Sequence, residues 1–265
     1  SHIMKTKRLI YQVSIGKPSK LYKICTESVN RYCEKYDIDH VVQTRPILNI
    51  KPDPFQTGRS QECVSRPVPL PIYEKENAFD YFDRYDQIAI IDADIFIRDT
   101  APNIFDAFGT DHHFGAVVER DMPITNQYKQ KILNYSRMQY STLHPKVDFD
   151  PNHLGYEFMN MGMIVMDKSI MKYFKEQTPK EFLQRAEFKD FVDGKGPWKW
   201  STDQTLLNWW IRKSKMKINR MNWRWNGLYT ANRKIKHCHF VHFFLKDKLP
   251  NRGEDVDQLM KDIMS

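Results

Sequence analysis

The chain has 265 residues, which suits one large domain or two small ones and is enough to bury a sizeable core. Its formal net charge at pH 7 is +8. No run approaches the roughly 20 apolar residues of a membrane-spanning helix, so such a span is excluded from this stretch of sequence. Residues 1–3 resemble a cloning scar, which makes Met4 the expected native start, and the residues after it lack the apolar core of a signal peptide.

The cysteine pattern predicts reduced thiols and a cytoplasmic protein. None of the four cysteines forms a Cys-x-x-Cys pair, and Cys25 and Cys33 fall at core positions of a predicted helix. The other two are Cys63 and Cys238. A zinc site is therefore not expected.

The positive charge is concentrated in two basic clusters. They consist of Arg212, Lys213, Lys215, Lys217 and Arg220, and of Arg233, Lys234 and Lys236. A solvated basic face, an anionic ligand and peripheral membrane contact all stay open as explanations. Helix-turn-helix patterns, zinc-finger spacings and RNA-recognition motifs are absent from the sequence, so nucleic acid is not an expected partner.

The first half of the chain alternates strands and helices. Residues 9–15 read as a strand, residues 20–36 as an amphipathic helix capped by Ser19, and residues 40–43 as a second strand. This early alternation predicts an α/β fold with parallel neighbouring strands. Residues 44–71 are rich in proline and too long for a simple connection, so they are expected to shape a site or an edge.

The chain is organised around an acidic pair that follows a buried strand. A helix over residues 73–85 is predicted to lead into the apolar strand 88–91, directly before Asp92 and Asp94. Carboxylates on alternate residues of an extended chain point the same way and repel each other. A hard divalent cation with oxygen ligands would relieve that repulsion, although a strand end with solvated acids has the same pattern.

The second half continues with mixed elements and shows no repeat, low-complexity tract or clear linker. Strands are predicted over residues 114–119, 160–167 and 241–245, helices over 125–140, 203–213 and 254–264, and a capping-box helix start at Thr178. We therefore expect one domain over residues 4–265.

Four spaced motifs carry a resemblance to a known family. They are Asp92-Ala93-Asp94 with Ile97-Arg98-Asp99-Thr100 and Ile104-Phe105-Asp106, then Phe158-Met159-Asn160-Met161-Gly162, then Asp203-Gln204-Thr205-Leu206-Leu207-Asn208, and last His242 with Lys248 six residues on. Through most of its length the chain resembles the family 8 retaining glycosyltransferases, the group of glycogenin and the bacterial lipooligosaccharide galactosyltransferases. In the last motif the family has a glycine where this chain has Leu245.

The resemblance implies a fold and a set of roles. The fold is a single glycosyltransferase A-type α/β domain with a mostly parallel central sheet flanked by helices. Residues 4–119 would be its nucleotide-binding half and residues 120–265 its acceptor-binding half. Asp92, Asp94 and His242 would hold Mn²⁺ or Mg²⁺ with the donor diphosphate. Lys75, which lies 17 residues before Asp92, would face the donor together with Ala93, Gly162 and Lys248. The catalytic residues would be Asn160, Asp203 and Gln204.

Position in the predicted fold suggests the remaining contacts. Tyr11 and Ser14 lie at the end of the first strand, where open α/β sheets bind ligands, and would meet the base and ribose. Glu119 ends a strand and would hold an acceptor hydroxyl, or is simply a surface strand end. Trp223 and Trp225, flanked by asparagines, would stack an acceptor sugar or pack in the core.

The expected function is metal-dependent transfer of a hexose from a nucleoside-diphosphate sugar, with uridine diphosphate the first expectation. The acceptor would be a glycan, a lipid-linked sugar or a protein. Retention is expected to arise by front-face attack, with double displacement through Asp203 left open. Three alternatives are a haloacid-dehalogenase-like phosphatase, which has threonine or valine where Phe96 stands, a nucleotidyltransferase, and a non-catalytic carbohydrate-binding protein.

Overall fold

The computed structural model describes residues 5–59 and 70–264, so Cys63 lies outside the described residues. The strands are β1 Arg8–Val13, β2 Asp39–Gln43, β3 Gln87–Ile91, β4 Ile95–Ile97, β5 Phe114–Val118, β6 Met159–Asp167, β7 Ile218–Arg220, β8 Gly227–Leu228 and β9 Phe240–His242. The helices are α1 Lys20–Tyr36, α2 Ile104–Phe108, α3 Asn126–Tyr140, α4 Pro179–Leu183, α5 Lys189–Asp193, α6 Asp203–Lys213 and α7 Val256–Met264.

A six-stranded sheet with the order β2-β1-β3-β6-β5-β7 forms the centre of the molecule. Strand β1 pairs in parallel with β2 and β3, and β5 pairs in parallel with β7. Strand β6 runs antiparallel to both of its neighbours, β3 and β5. Five of the six strands therefore share one direction, which confirms the predicted mostly parallel sheet. A second, three-stranded sheet has the order β4-β9-β8.

Strand β3 is buried on both faces, as its apolar run predicts. Ile88 and Ile90 belong to one hydrophobic cluster, and Ala89 and Ile91 belong to another. Alternate side chains of a strand point to opposite faces of the sheet, so each cluster covers one face. The burial fixes the end of β3, and with it the position of the acidic pair that follows.

Helix α1 has the predicted bounds because both of its ends are specified locally. The Ser19 side chain accepts a hydrogen bond from the backbone N–H of Tyr22, which satisfies one free donor of the first turn. At the other end Asp37 takes the left-handed conformation that closes helices. The capping box at Thr178 is also confirmed, although the helix it opens, α4, spans only five residues.

Two predicted elements differ from the structure. Residues 73–85 form not an α-helix but two 3₁₀ segments, Pro71–Tyr73 and Lys75–Asp83. At their junction the Glu74 carboxylate accepts backbone N–H bonds from residues 47, 48 and 49, which ties this segment to a preceding loop. The late strand ends at His242 instead of residue 245. Leu245 has φ 59°, which an extended strand cannot accommodate.

Among residues 5–59 and 70–264, no helix combines the length and the apolar character that crossing a bilayer requires. Cys25, Cys33 and Cys238 are buried and are not in disulfides. Burial raises the pKa of the Cys33 and Cys238 thiols to about 12, which keeps both protonated at neutral pH.

Candidate functional site

Three potential metal ligands converge beside the central sheet. Asp92 follows β3, Asp94 precedes β4, and His242 ends β9. Because β4 pairs with β9 so that Ile95 lies opposite His242, the imidazole meets the acidic pair. His242 Nε2 lies 3.0 Å from Asp94 Oδ1 and 3.7 Å from Asp92 Oδ2. One potential ligand atom from each residue lies within 4.8 Å of the others.

The donor set fits a divalent cation. Asp94 Oδ1 is buried and has no hydrogen-bond partner among the described residues, so it is available as a ligand. His242 Nδ1 lies 3.1 Å from Asn226 Oδ1. A proton on Nδ1 would donate to that amide and leave the Nε2 lone pair facing the carboxylates. Two carboxylates and an imidazole suit Mn²⁺ or Mg²⁺.

Lys75 holds two carboxylates in place. Its Nζ lies 2.9 Å from Asp92 Oδ1 and 3.3 Å from Asp203 Oδ2, and it donates to the Met161 carbonyl at 3.0 Å. Burial alone would lower the pKa of Lys75, but the Asp203 and Asp92 carboxylates outweigh it and raise that pKa. Lys75 is therefore an ammonium ion fixed between the metal cluster and Asp203.

Glu76 is a buried acid that the sequence analysis did not single out. Its side chain is fully buried, and neither carboxylate oxygen has a hydrogen-bond partner in the described part of the chain. Burial, and then the Asp203 carboxylate, raise the pKa of Glu76 well above its usual value. Both causes favour the protonated form of Glu76, which limits the negative charge beneath Asp203.

The amides of Asn160 and Gln204 are both fixed by the protein. Asn160 Oδ1 accepts from the Gly162 N–H at 2.8 Å and from Asn226 Nδ2 at 2.9 Å. Gln204 Oε1 accepts from the Met161 N–H at 3.1 Å, and its Nε2 donates to the Tyr135 hydroxyl at 3.0 Å. The two amides thereby fix the first residues of β6. Gly162 lies in this part of the strand, and a Cβ there would overlap the His242 imidazole.

Glu119 lies on the floor of the same region. It is buried and accepts hydrogen bonds from the Tyr128 hydroxyl at 2.5 Å and from Asn160 Nδ2 at 3.2 Å. Burial raises the pKa of Glu119, while these two donors oppose the shift. Glu119 is thus a fixed acceptor and not a solvated strand end.

Three adjoining cavities surround these residues. After the roles that we propose for them, we call them the donor groove, of about 460 Å³, the central cleft, of about 490 Å³, and the outer cavity, of about 730 Å³. The donor groove and the central cleft share Lys75, Asp92, Asp94, Thr202 and Asp203. The central cleft and the outer cavity share Tyr128, Lys131 and Leu245. The metal cluster therefore lies where the first two cavities meet.

Most of the predicted site residues come together at these cavities. The central cleft is lined by Lys75, Asp92, Asp94, Glu119, Asn160, Gly162, Asp203, Gln204 and His242. Ser14 and Ala93 line the donor groove.

Two predicted donor contacts lie elsewhere. Tyr11 is fully buried, and its hydroxyl bonds with the side chains of Gln43 and Asn77, so it does not reach the donor groove. Lys248 lines the outer cavity and neither of the other two. Tyr11 is thus part of the core beneath the groove, and Lys248 lies on the far side of the central cleft.

The tryptophans are arranged differently from the prediction. Trp225 is buried and packs edge-on against Phe240, and Trp223 is half-buried beneath the Arg224 guanidinium. Trp200, in contrast, is 68% exposed and lines the central cleft. One indication of this role was present in the sequence, since Trp200 lies only three residues before Asp203. Tyr128, Tyr135 and Phe244, which the sequence analysis also missed, line the cleft with it.

The first basic cluster is largely neutralised by neighbouring acids. Arg212 pairs with Glu157 at 2.8 Å, Lys213 with Glu187 at 2.7 Å, and Arg220 with Asp121 at 2.6 Å. The local charge offered to an external anion is therefore smaller than the sequence suggests.

Similarity to known proteins is visible in the fold and not in the sequence. No protein-family profile and no curated protein sequence matches the chain. A solved glycosyltransferase involved in glycosylation of the major capsid of PBCV-1 has 10% identity and a TM-score of 0.56, covering 96% of this chain and 99% of its own. The galactosyltransferase LgtC, in complex with donor and acceptor sugar analogues, has 12% identity and a TM-score of 0.55, covering 96% and 94%.

These likenesses confirm the expected fold. The chain has the glycosyltransferase A-type architecture, with a mixed and mostly parallel central sheet. Likeness at such low identity shows the fold alone, and the chemistry depends on the residues of the site itself.

Proposed function

We propose that the chain is a metal-dependent hexosyltransferase that takes a sugar from a nucleoside-diphosphate donor and retains its configuration. The observation that carries this proposal is the convergence of Asp92, Asp94 and His242 where the donor groove meets the central cleft. A divalent cation bound by these residues would supply positive charge to the departing diphosphate. Lys75 adds no direct ligand but keeps the Asp92 carboxylate oriented.

The donor groove would hold the nucleoside, with a uridine-diphosphate hexose as the first candidate. Ser14 and Ala93 line the groove with polar and backbone groups. Lys246 Nζ lies 4.8 Å from the centre of the Tyr22 ring, and Tyr22 lines the groove. Lys246 therefore brings a cation to the rim on the side where an anionic donor would enter.

In the proposed reaction, an acceptor hydroxyl oxygen bonds to the anomeric carbon while the bond from that carbon to the diphosphate oxygen breaks. The electron pair of the broken bond stays on the diphosphate, which takes the proton of the acceptor hydroxyl. Attack on the face that the diphosphate leaves retains the configuration. Asp203 would stabilise positive charge on the sugar ring, and the fixed amides of Gln204 and Asn160 would hold the surrounding backbone.

Front-face attack is favoured over double displacement by the surroundings of Asp203. A carboxylate nucleophile needs a free lone pair directed at the anomeric carbon. Asp203 Oδ2 instead lies 3.3 Å from the Lys75 ammonium, which stabilises the anion and weakens it as a nucleophile.

The acceptor would enter from the side of the central cleft opposite the donor groove. Glu119 would accept a hydrogen bond from an acceptor hydroxyl, and the exposed Trp200 would stack on its sugar ring. The described residues that line the outer cavity fall between positions 127 and 262, which supports residues 120–265 as the acceptor-binding half. A glycan, a lipid-linked sugar and a glycosylated protein are each compatible with an open cleft.

A panel of nucleotide sugars tests the donor and the metal together. We expect UDP-glucose or UDP-galactose to raise the melting temperature and to be hydrolysed slowly in the presence of Mn²⁺. A chelator should abolish the hydrolysis, and Mg²⁺ or Mn²⁺ should restore it. Full activity after chelation would rule out the metal role, and stabilisation by a guanosine-diphosphate sugar alone would overturn the donor.

Stereochemistry is tested by proton NMR of the first product. A retained anomeric configuration without a sugar–enzyme adduct by intact mass supports front-face attack. A retained product with an adduct on Asp203 would replace it by double displacement. An inverted product would remove the retaining assignment, and sugar binding without turnover would indicate a carbohydrate-binding protein.

A further inference from the structure

The outer cavity continues the route from the donor groove through the central cleft. Its volume of about 730 Å³ falls within the range of small-molecule sites. Tyr128, Lys131 and Leu245 line both the central cleft and the outer cavity, so a ligand in one can extend into the other. Because the donor occupies the opposite end in the proposed function, this cavity is the place for the acceptor beyond its reacting sugar.

The charge in the outer cavity is positive and uncompensated. Lys131 and Lys248 line it, and neither forms an ion pair with a carboxylate in residues 5–59 and 70–264. Among the described residues Asp262 is the single acid in the lining, and it already accepts hydrogen bonds from the Tyr229 hydroxyl at 2.8 Å and from Gln258 Nε2 at 2.7 Å. Its carboxylate forms no ion pair with either lysine in the described part of the chain.

The two lysines offer charge-assisted donors to the same ligand. Two ammonium groups without carboxylate partners among the described residues suit an anion with several oxygens, such as a carboxylate or a phosphate.

We propose that the outer cavity binds an anionic group of the acceptor, a carboxylate or a phosphate, through Lys131 and Lys248. The proposal rests on the proposed function and names its acceptor class, an acidic glycan or a phosphorylated sugar chain. It also assigns Lys248 to the acceptor and not to the donor diphosphate, because Lys248 lines neither the donor groove nor the central cleft.

Calorimetric titration with three matched probes tests this assignment. The probes are methyl galactoside, methyl galacturonoside and methyl galactoside 6-phosphate, each added to protein saturated with UDP and Mn²⁺. We expect one or both anionic probes to bind about tenfold more tightly than the neutral one at low salt, and less so as salt is raised. The uronate and phosphate arms distinguish the two sources of the negative charge.

Lysine variants locate the binding. Lys131→Gln and Lys248→Gln should each weaken the anionic probe by about three- to tenfold and leave the neutral probe unchanged. Lys129→Gln, on the same helix but outside the cavity lining, removes the same charge and should change neither.

Two outcomes would overturn the proposal. One is a neutral probe that binds as tightly as both anions. The other is a Lys248→Gln variant that loses UDP affinity while it keeps anion affinity, which would return Lys248 to the diphosphate. Metal-dependent hydrolysis of UDP-sugar by the unmodified protein is read separately, so failure of the proposed function is distinguished from failure of this site.

Discussion

The donor groove and the outer cavity differ in how their charges are balanced. At the donor end the Lys75 ammonium lies within 3.3 Å of both the Asp92 and the Asp203 carboxylates, so charges meet inside the protein. At the far end Lys131 and Lys248 have no carboxylate partner among the described residues. A fixed network suits a ligand part that never varies, such as a diphosphate. Unpaired lysines can form new ion pairs, so the affinity at the far end depends on the charge of the bound ligand.

Among changes to the donor network, substitution of a proposed metal ligand should reduce turnover most. Asp94→Asn replaces a buried ligand oxygen by an amide and should lower donor turnover by about a thousandfold, equivalent to about 4 kcal/mol. The melting temperature without metal should change little. Asp99→Asn is a matched control, since Asp99 lies nearby in sequence but is 81% exposed.

Turnover and the Mn²⁺-induced rise in melting temperature are the measurements. Loss of both in Asp94→Asn, with both kept in Asp99→Asn, would support the metal cluster. Equal losses in the two variants would indicate a general charge effect instead.

Removing the Lys75 ammonium at the centre of the network should mainly lower the stability of the fold. Lys75→Met leaves two carboxylates without their cation and should lower the free energy of unfolding by about 3–5 kcal/mol. Adding Asp203→Asn removes one of those charges and should restore part of the loss. Chemical denaturation of the single and double variants measures the coupling.

Additive effects in that cycle would show that Lys75 and Asp203 do not interact. Restored stability without restored turnover is the expected result, because Asp203 is also assigned to the sugar.

The donor side could be predicted from the sequence because its residues follow regular elements. The apolar run of β3 fixes where Asp92 stands, and the first turn of α6 fixes Asp203 and Gln204. Ser14 and Ala93 reach the donor groove for the same reason, since they lie at strand ends. The family resemblance suggested most of these residues, and their positions at the ends of strands and helices explain why the fold brings them together.

Tyr11 and the acceptor side could not be predicted in this way because packing decides them. Tyr11 lies on β1 with its side chain in the core, where Gln43 and Asn77 satisfy its hydroxyl. Trp225 and Trp200 have equal apolar character in the sequence, and only the folded chain buries one and exposes the other. The pairing state of Lys131 likewise depends on neighbours distant in sequence.

Substitution of the two tryptophans should separate a role in ligand binding from a role in core packing. Trp200→Ala should weaken binding of the tightest-binding of the three sugar probes by about tenfold, or about 1.4 kcal/mol, because the sugar ring loses the exposed indole as its stacking partner. Trp225→Ala should instead lower the free energy of unfolding by about 3–5 kcal/mol through a cavity in the core. Calorimetry and denaturation measure the two effects, and a destabilised Trp200→Ala with unchanged binding would contradict the assignment.

The smallest effect concerns Leu245, which lines both the central cleft and the outer cavity. Its φ of 59° and ψ of 69° are left-handed, a conformation that costs a residue with a Cβ about 1–2 kcal/mol. Glycine avoids that cost but loses about 0.5–1 kcal/mol through the greater freedom of its unfolded chain. Leu245→Ala keeps the Cβ and removes the partly exposed side chain, so it serves as the control. We expect Leu245→Gly to be more stable than Leu245→Ala by about 0.5–1 kcal/mol in denaturant unfolding. An alanine variant as stable as the glycine variant would show that the backbone strain at this turn does not exceed the entropic cost of glycine.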